Sequence, residues 1–357
     1  MSRKNPTRDD VAALAGTSPA VVSYVINNGP RNVSPERRAR VLQAMTELGY
    51  YPNAHARSLA ATETRTLGMI VPNISNAYFA DFTLAVEDAA ITRGRLVFLG
   101  NSNEDRERED AYISSFLEQH VEGIIFIGVA LRSSIGRIVR QGMPVVVVDR
   151  AIENSDSTTI SIDHRAAAWL ATEHLIQHGH RSIGCLTGPE DQGVAEDRRR
   201  GWADALLGAG IDPACQIVLR APFSVTGGMA AARELLESEE ARPTSMFVAS
   251  DEQARGVISV AARHSLVVPR DLAVVSVDGT RESEFSNPAL TTARQPYREL
   301  AAAAVDSVLA PPGSAPRRIQ MEADLVIRQS CGCSLYETPA QPSPPDREVQ
   351  RRVSCAS

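Results

Sequence analysis

The sequence predicts an all-α headpiece of the helix-turn-helix type, followed by a two-lobed α/β body built on parallel, Rossmann-like sheets. Two patterns lead to this fold class. Residues 7–27 read as two short amphipathic helices around a glycine turn. From Thr66 onward, short apolar runs alternate with helical segments, as in parallel sheets covered by helices on both faces. A chain of 357 residues is long enough for both parts.

The two N-terminal helices are marked by their ends. Thr7 and Asp10 have the spacing of a capping box, and Gly16 suits a left-handed turn. Ser18 can cap the second helix, with Pro19 at its first position. Such a pair is typical of a DNA-binding motif whose second helix lies in the major groove, and an ordinary helical hairpin is the alternative. The apolar residues expected to pack between the helices are Val11, Ala12, Leu14, Ala15, Val21, Val22, Val25 and Ile26.

A third helix is predicted to begin after Ser34 and to end at Gly49, and three helices can close a small core. Residues 53–61 could form a short helix capped by Asn53, but a helix of about eight residues is not stable alone in water. Leu59 either inserts as a wedge into a DNA minor groove or packs back on its own domain, and the residues alone favour packing. The buried stripe of the third helix is predicted as Val41, Leu42, Met45 and Leu48.

In the body, the apolar runs predict more strands than one small sheet requires, so two lobes with a cleft between them are expected. Ligands of such sheets bind at the carboxyl ends of the strands. Polar residues that follow the runs are therefore candidates for binding, with a loop or helix-capping role as the alternative for each. These residues are Asn73, Asp149, Arg150, Ser250 and Asp278.

Charge is distributed unevenly along the chain. The net charge is −6, with +4 on residues 1–65 and −10 on the remainder, so only the N-terminal part is expected to meet phosphates. We expect a cytoplasmic protein with no membrane partner, because the N-terminus has no apolar signal segment and no run reaches roughly 18 apolar residues. The polar, proline-rich residues 336–357 are predicted to be disordered.

No cofactor and no metal site are expected. The pair Cys331-Gly-Cys333 could bind a metal or react as a redox pair, but it lacks the other ligands of a structural zinc. His174, His178 and His180 lie by a helix end without a recognisable ligand set. The five cysteines are odd in number and mostly isolated, which disfavours a disulfide framework. An enzyme is also disfavoured, because the sequence contains no G-x-S-x-G, P-loop or H-E-x-x-H motif.

Ten motifs in consistent order resemble the LacI/GalR family of transcriptional repressors from about Thr7 to Gly332. The resemblance implies a headpiece (1–50), a hinge helix and linker (51–63) that orders on operator DNA, and a periplasmic-binding-protein-like body (64–335). Its N-lobe would span about 64–163 and 294–322, and its C-lobe about 164–293 and 323–335. The motifs are DVAALAG, VSYVINN, VSPERRARVLQAMTELGYYPNAHARSLA, IVPNISNAYFAD, PVVVVDR, ATEHLIQHGHRSI, RRRGW, VASDEQARG, LAVVSVDG and LTTARQP.

The resemblance also implies roles for individual residues. Base-facing positions of the recognition helix fall on Pro19, Ala20 and Tyr24, and phosphate contacts on Ser18 and Ser23. The family's minor-groove lever falls on Leu59, which reverses the preference for packing. Thr7, Asn27, Asn53 and Ala56 complete the DNA-binding set. Effector-binding positions fall on Asn73, Tyr78, Phe79, Asp149, Arg150, Arg198, Phe223, Ser250, Asp278 and Gln295.

The expected function is a repressor that binds a palindromic operator as a homodimer and is switched by a small effector, with a sugar expected. An arginine fork and a carboxylate suit vicinal hydroxyls, and Trp202 is expected in the core. Tyr24, Ser250 and Gly279 depart from common residues of the family, which leaves operator and effector identity open. Inducer release and co-repression both remain open. A sugar-transport protein, an enzyme and a nucleoside-binding activator are the alternatives.

Overall fold

A computed structural model describes residues 6–27, 32–50, 64–128, 131–149, 157–190, 192–237, 242–311 and 313–333. The chain divides into two compact units, Met1–Arg65 and Thr66–Ser357. The predicted fold class is confirmed, with helices in the first unit and two largely parallel sheets in the second. The predicted hinge (51–63), with Asn53, Ala56 and Leu59, and the tail (336–357) lie outside the described residues, as does Arg150.

The first unit contains α1 (Arg8–Leu14), α2 (Pro19–Asn27) and α3 (Pro35–Leu48). The capping box at Thr7 is present, and Gly16 and Gly49 both have positive φ. Leu14 and Leu42 were expected to be buried, but each is 48% exposed. That expectation is wrong because so small a core accepts only a narrow stripe of each helix, and these two residues lie beside it. The core consists of Val11, Ala12, Ala15, Val22, Val25, Val41 and Ala44.

The second unit alternates strands and helices. Its strands are β1 (Thr66–Val71), β2 (Leu96–Asn101), β3 (Ile124–Phe126), β4 (Val145–Val148), β5 (Thr158–Ile162), β6 (Ile183–Thr187), β7 (Val218–Arg220), β8 (Ser245–Val248), β9 (Ala273–Asp278), β10 (Thr291–Arg294), β11 (Arg318–Met321) and β12 (Asp324–Val326). Its helices are α4 (Ala77–Thr92), α5 (Arg106–Glu118), α6 (Leu131–Arg140), α7 (His164–Gln177), α8 (Gly193–Gly208), α9 (Val225–Glu237), α10 (Asp251–Arg263), α11 (Arg281–Phe285) and α12 (Tyr297–Val308), with a 3-10 turn at Pro213–Cys215.

The strands form two six-stranded sheets of matching order. The N-lobe sheet has the order β11-β5-β4-β3-β1-β2, and the C-lobe sheet has the order β12-β10-β9-β8-β6-β7. All pairs are parallel except β10 with β12. The chain crosses between the sheets after β5, after β10 and after β11. The carboxyl ends of the strands therefore bring residues from distant parts of the sequence into one site.

Central strands are buried on both faces, as expected for parallel sheets covered by helices. All four valines of β4 are buried. Trp202 on α8 is fully buried and donates its indole N–H to the Ile183 carbonyl oxygen at 3.2 Å, which confirms its predicted core position. Among the residues that the structure describes, no helix has both the length and the apolar character needed to cross a membrane.

Candidate functional site

Arg198 lies at the centre of a buried polar cluster at the carboxyl ends of the C-lobe strands. It is carried by α8 and is only 4% exposed. Its Nη2 donates to Asp278 Oδ1 at 3.1 Å, and its Nη1 donates to the carbonyl oxygen of Ala249. The guanidinium carbon lies 5.8 Å from the centre of the Phe223 ring, within the range of a cation–π contact. The arginine fork is thus held in one orientation by groups from several elements.

Asp278, the last residue of β9, is the acidic partner in this cluster. Its Oδ1 also accepts from Gln295 Nε2 at 3.0 Å, so the structure joins Arg198, Asp278 and Gln295 directly. Burial raises the pKa of Asp278 to about 7, although the Arg198 charge lowers it. Gly279 follows with φ +73°, and a Cβ there would lie 2.4 Å from the Cβ of Arg294. The departure from the family pattern at Gly279 therefore matches a backbone that disfavours any side chain.

His164, at the start of α7, is a residue that the sequence reasoning missed. It is 5% exposed, and its Nδ1 accepts from Arg198 Nε at 3.4 Å. Burial and the Arg198 charge hold the pKa of His164 well below its ordinary value, so the ring is neutral. A neutral ring that accepts at Nδ1 carries its proton on Nε2, which lies 3.7 Å from Asp149 Oδ1. Nothing local in the sequence marks this histidine, because its neighbours come from both lobes.

On the N-lobe side, Tyr78 and Asp149 meet. Tyr78 is the second residue of α4, and its hydroxyl donates to Asp149 Oδ2 just after β4. Burial, and then the Asp149 charge, raise the pKa of Tyr78 well above its ordinary value, so the hydroxyl keeps its proton. The Phe79 ring packs edge-on against Tyr78 with centroids 4.9 Å apart. Tyr297, also missed, lies 5.8 Å from Tyr78 between ring centres and donates to the Asp278 carbonyl oxygen at 3.0 Å.

Contacts between the lobes close this region. Asn76 Nδ2 in the N-lobe donates to the carbonyl oxygen of Phe223 in the C-lobe at 3.1 Å. Within the described residues, Gln295 Oε1 and His164 Nε2 are buried without a protein hydrogen-bond partner. Buried polar atoms are normally satisfied, so one acceptor and one donor remain available in this region.

Two predicted residues make local contacts instead. Asn73 Oδ1 accepts from the backbone N–H of Ser75 at 3.0 Å, and Ser250 caps α10 by accepting from the Gln253 N–H at 3.2 Å. These are the loop and capping roles that the sequence left open as alternatives. Arg150 lies outside the described residues.

The DNA-binding set lies on the first unit. Thr7 caps α1, and Asn27 is the last residue of α2. Ser23 and Tyr24 are half-buried on α2. Ser18, Pro19 and Ala20 are exposed at the start of this helix, so its opposite face, with Val22 and Val25, is the one that the core uses.

One expectation from the sequence is wrong: His174 and His178 do have a third potential ligand. Their ring nitrogens and the sulfur of Cys333 all lie within 4.8 Å of one another. Cys333 is 155 residues from His178 along the chain, so the spacing of the motif could not reveal the cluster.

Two family models match the chain. Residues 7–53 match the bacterial regulatory proteins of the lacI family, and residues 172–331 match a periplasmic binding protein-like domain. Catabolite control protein A of Priestia megaterium is 34% identical over 303 residues, covering 84% of this chain and 91% of that protein. The ribose operon repressor of Escherichia coli is 33% identical over 329 residues, covering 91% and 99%. These relatives are transcriptional regulators.

Solved structures of transcriptional regulators are also similar to this chain. The lac repressor dimer bound to operator and the anti-inducer ONPF aligns with a TM-score of 0.79 at 27% identity, covering 92% of this chain and 99% of that one. A complex of the transcriptional regulator CelR with cellobiose aligns with a TM-score of 0.67 at 30% identity, covering 91% and 99%. Both alignments include the helical unit as well as the α/β unit.

Proposed function

This chain belongs to the LacI family of bacterial regulatory proteins, and we propose that it represses transcription by binding a palindromic operator as a homodimer. As a member of this family it is a DNA-binding transcriptional regulator that responds to a small molecule. We propose that the effector is a sugar or sugar derivative bound between the two lobes. The observation that carries this proposal is the buried set of Arg198, Asp278, Gln295 and His164. Gln295 Oε1 and His164 Nε2 have no hydrogen-bond partner among the residues that the structure describes.

The chemistry of this set suits a polyol. Asp278 and Gln295 Oε1 accept hydrogen bonds, while Arg198 and His164 Nε2 donate them. The half-buried rings of Phe79 and Phe223 provide apolar faces of the kind that a pyranose ring stacks on. In this proposal Tyr78, Asp149 and Arg150 complete the pocket from the N-lobe, and Asn73 and Ser250 shape its rim through the turns that they stabilise.

For the headpiece, we propose that α2 enters the major groove with Pro19, Ala20 and Tyr24 toward the bases. Ser18 and Ser23 would contact phosphates, and Thr7, Asn27 and Asn53 complete the DNA-binding set. These positions carry few hydrogen-bonding groups for base edges, so DNA deformability supplies part of the sequence preference. Leu59, with Ala56 beside it, would insert into the minor groove at the operator centre. We propose the domain boundaries 1–50, 51–63 and 64–335, and a disordered tail 336–357.

Homodimer formation has a candidate surface on the N-lobe. The edge strand β2 exposes Leu96, Phe98 and Leu99, and α4 beside it exposes Leu84 and Ile91. A contiguous apolar patch on an edge strand is typical of an interface. We propose that a second copy covers it. The variant Phe98→Asp should be monomeric by analytical ultracentrifugation, while Phe285→Asp, at an exposed C-lobe position, should remain dimeric; a dimeric Phe98→Asp would overturn this surface.

We also propose that the protein acts in the cytoplasm, where its DNA lies, and that it regulates without catalysing a reaction.

The effector proposal is tested by a thermal-shift screen of the full chain against sugars and nucleosides. A ligand that binds only the folded state raises the melting temperature. A sugar is the expected hit, and a response to nucleosides alone would overturn the carbohydrate proposal. Arg198→Lys, which keeps the charge but loses the fork, should abolish the shift, while the exposed Arg263→Ala should keep it. A full shift in Arg198→Lys would remove Arg198 from the pocket.

The DNA proposal is tested by selecting bound sequences from random duplexes. An inverted repeat is the expected result, and enrichment of single half-sites would overturn binding as a symmetric dimer. Leu59→Ser should weaken binding to the selected duplex without changing the effector-induced shift. Unchanged operator affinity in Leu59→Ser would overturn the proposed minor-groove contact.

A further inference from the structure

We propose that His174, His178, Cys333 and Cys331 form a structural zinc site that fastens the C-terminal segment of the C-lobe to the end of α7. The site lies apart from the effector cluster, and none of its residues has a role in the proposed regulation. The proposal rests on the close positions of His174, His178 and Cys333, with the Cys331 sulfur beside that of Cys333.

The two histidines are placed for joint ligation by the helix. His174 lies in the last turn of α7 and His178 is the C-terminal cap residue, four positions later. Residues at this spacing lie on the same helix face. Their ring centres are 4.6 Å apart, so both imidazoles face one small volume.

The sulfurs complete the set from the segment that follows β12. Cys333 Sγ lies 3.6 Å from His174 Nε2 and 3.1 Å from His178 Nε2. Cys331 Sγ lies 3.5 Å from Cys333 Sγ. A tetrahedral zinc ion, at about 2.3 Å from sulfur and about 2.0 Å from nitrogen, keeps its ligand atoms roughly 3.3–3.8 Å apart. The separations of Cys333 Sγ from the other three atoms therefore approach those of a zinc centre. Cys331 Sγ lies outside the group of atoms within 4.8 Å of one another, so its side chain must move toward the histidines to become the fourth ligand.

The surroundings suit a closed structural site. His174 is 6% exposed and Cys331 is 1% exposed, while His178 and Cys333 are half-buried. His180, which follows closely in sequence, is directed elsewhere and contacts Thr244 Oγ1 through Nδ1 at 2.9 Å. Two imidazoles and two thiolates favour zinc over magnesium or calcium, which prefer oxygen ligands. His174 and His178 therefore have the positions of metal ligands, whereas His180 points away from them.

A metal at this position would join the two ends of the C-lobe. α7 enters the lobe from the first crossover and packs against α8, the helix that carries Arg198. Cys333 comes from the last described segment, 155 residues beyond His178. Because a link between such distant residues restricts the unfolded chain, zinc should stabilise the lobe against unfolding.

The experiment uses the full chain, purified with a phosphine reductant and stripped of metal with EDTA. Cobalt(II) is added first, because thiolate-to-cobalt charge transfer and strong visible bands report tetrahedral thiolate coordination. The wild type is expected to bind one cobalt per chain, to release it to zinc, and to melt at a higher temperature with zinc. Weak octahedral cobalt spectra, or no rise in melting temperature, would overturn the proposal.

Variants assign the ligands. Cys333→Ser and His178→Ala should each lose the cobalt spectrum and the zinc-induced shift. Matched controls are Cys215→Ser, at an exposed cysteine, and His180→Ala, and both should bind as the wild type does. Cys331→Ser should lower the charge-transfer intensity per bound cobalt by about half, since one of two thiolates is removed. Unchanged intensity would overturn Cys331 as the fourth ligand.

Two further measurements cover other outcomes. Circular dichroism of each variant without metal shows whether it is folded, and the metal content of the untreated wild type by mass spectrometry requires no variant. An untreated chain that carries a Cys331–Cys333 disulfide, and that binds no metal after reduction, would overturn the proposal.

Discussion

The two lobes share one strand order but differ in what they bury. In the described part of the N-lobe, the buried polar side chains are Ser102, Glu109, Ser134 and Ser157. The C-lobe, with the crossover residue Gln295, buries a much larger set, which includes His164, Thr187, Arg198, Ser250, Asp251, Gln253, Ser276, Asp278, Thr280 and Thr292. An unsatisfied buried polar group costs about 1–3 kcal/mol, so such a network tolerates few alternative arrangements. The C-lobe therefore holds its half of the candidate site in a fixed geometry, while the described part of the N-lobe rests mainly on apolar packing.

Substitution of Asp251 should lower the free energy of unfolding more than any other change proposed here. Its carboxylate accepts from Ser276 Oγ at 2.6 Å, Thr292 Oγ1 at 2.8 Å, and the N–H and hydroxyl of Thr280 at 2.7 and 2.9 Å. Asp251→Ala leaves these donors buried without their acceptor, and we expect the free energy of unfolding to fall by roughly 3–5 kcal/mol. Urea denaturation followed by tryptophan fluorescence measures this, because both tryptophans, Trp169 and Trp202, lie in the C-lobe.

Asp251→Asn is the matched variant for this carboxylate. It keeps the side-chain volume but replaces one accepting oxygen by a donor. Its free energy of unfolding should therefore lie between those of the wild type and the alanine variant. A loss below about 1 kcal/mol in Asp251→Ala would contradict the view that the network holds the C-lobe together.

The contact between α7 and α8 gives the next prediction. A Cβ on Gly201 would lie 2.1 Å from the Arg165 carbonyl oxygen and 2.9 Å from the Ala168 Cβ. Gly201→Ala must therefore push the two helices apart, at a cost of about 1–3 kcal/mol. Gly208 lies on the same helix, and no atom of the described residues lies within 4 Å of a Cβ added there, so Gly208→Ala should be neutral or stabilising by up to about 1 kcal/mol. Equal effects in urea denaturation would show that the helix contact is not the cause.

Local patterns in the sequence predicted most of the fold but little of the network. The capping box at Thr7 and the turn at Gly16 depend on neighbouring residues, and the helices that they delimit were predicted correctly. Short edge strands such as β7 and β12 have no recognisable pattern in the sequence, because three residues carry no periodicity. The unpredicted elements lie mostly at sheet edges and crossovers.

The residues of the candidate site likewise include some that the sequence predicted and some that it did not. Arg198 was identified through a resemblance that spans the chain, and Asp278 also through its position after an apolar run. The structure places Arg198 Nη2 3.1 Å from Asp278 Oδ1. His164 could not be identified, because it lies beside Asp149 of the other lobe. Cys333 was considered only together with Cys331, because its histidine neighbours lie 155 and 159 residues away along the chain. Their roles follow from chain crossings that no local pattern encodes.

The pH dependence of stability tests the buried charge in the C-lobe. Burial raises the pKa of Asp278 to about 7 in the folded state, above its unfolded value of about 3.9. Between these values the folded state holds a proton that the unfolded state has lost, so stability falls as pH rises through 7. From pH 6 to pH 8 the contribution of Asp278 amounts to about 1 kcal/mol.

Asp278→Asn has no such titration, so the difference in stability between wild type and variant should change by that amount over the same range. Urea denaturation at a series of pH values measures it. Parallel pH profiles for the two proteins would show that Asp278 does not titrate near neutral pH.

The smallest effect is expected at an ion pair of the N-lobe. Arg93, which caps α4, binds Asp306 of α12 through two hydrogen bonds, at 2.5 and 2.7 Å. The side chains are 29% and 62% exposed, so water screens the pair, and Asp306→Ala should cost less than about 1 kcal/mol. Far-ultraviolet circular dichroism is the suitable probe, because both tryptophans report on the other lobe. High salt should lower the free energy of unfolding of the wild type toward that of the variant. A loss as large as that of Asp251→Ala would mean that an exposed pair stabilises the N-lobe as strongly as the buried network stabilises the C-lobe, and the contrast between the lobes would fail.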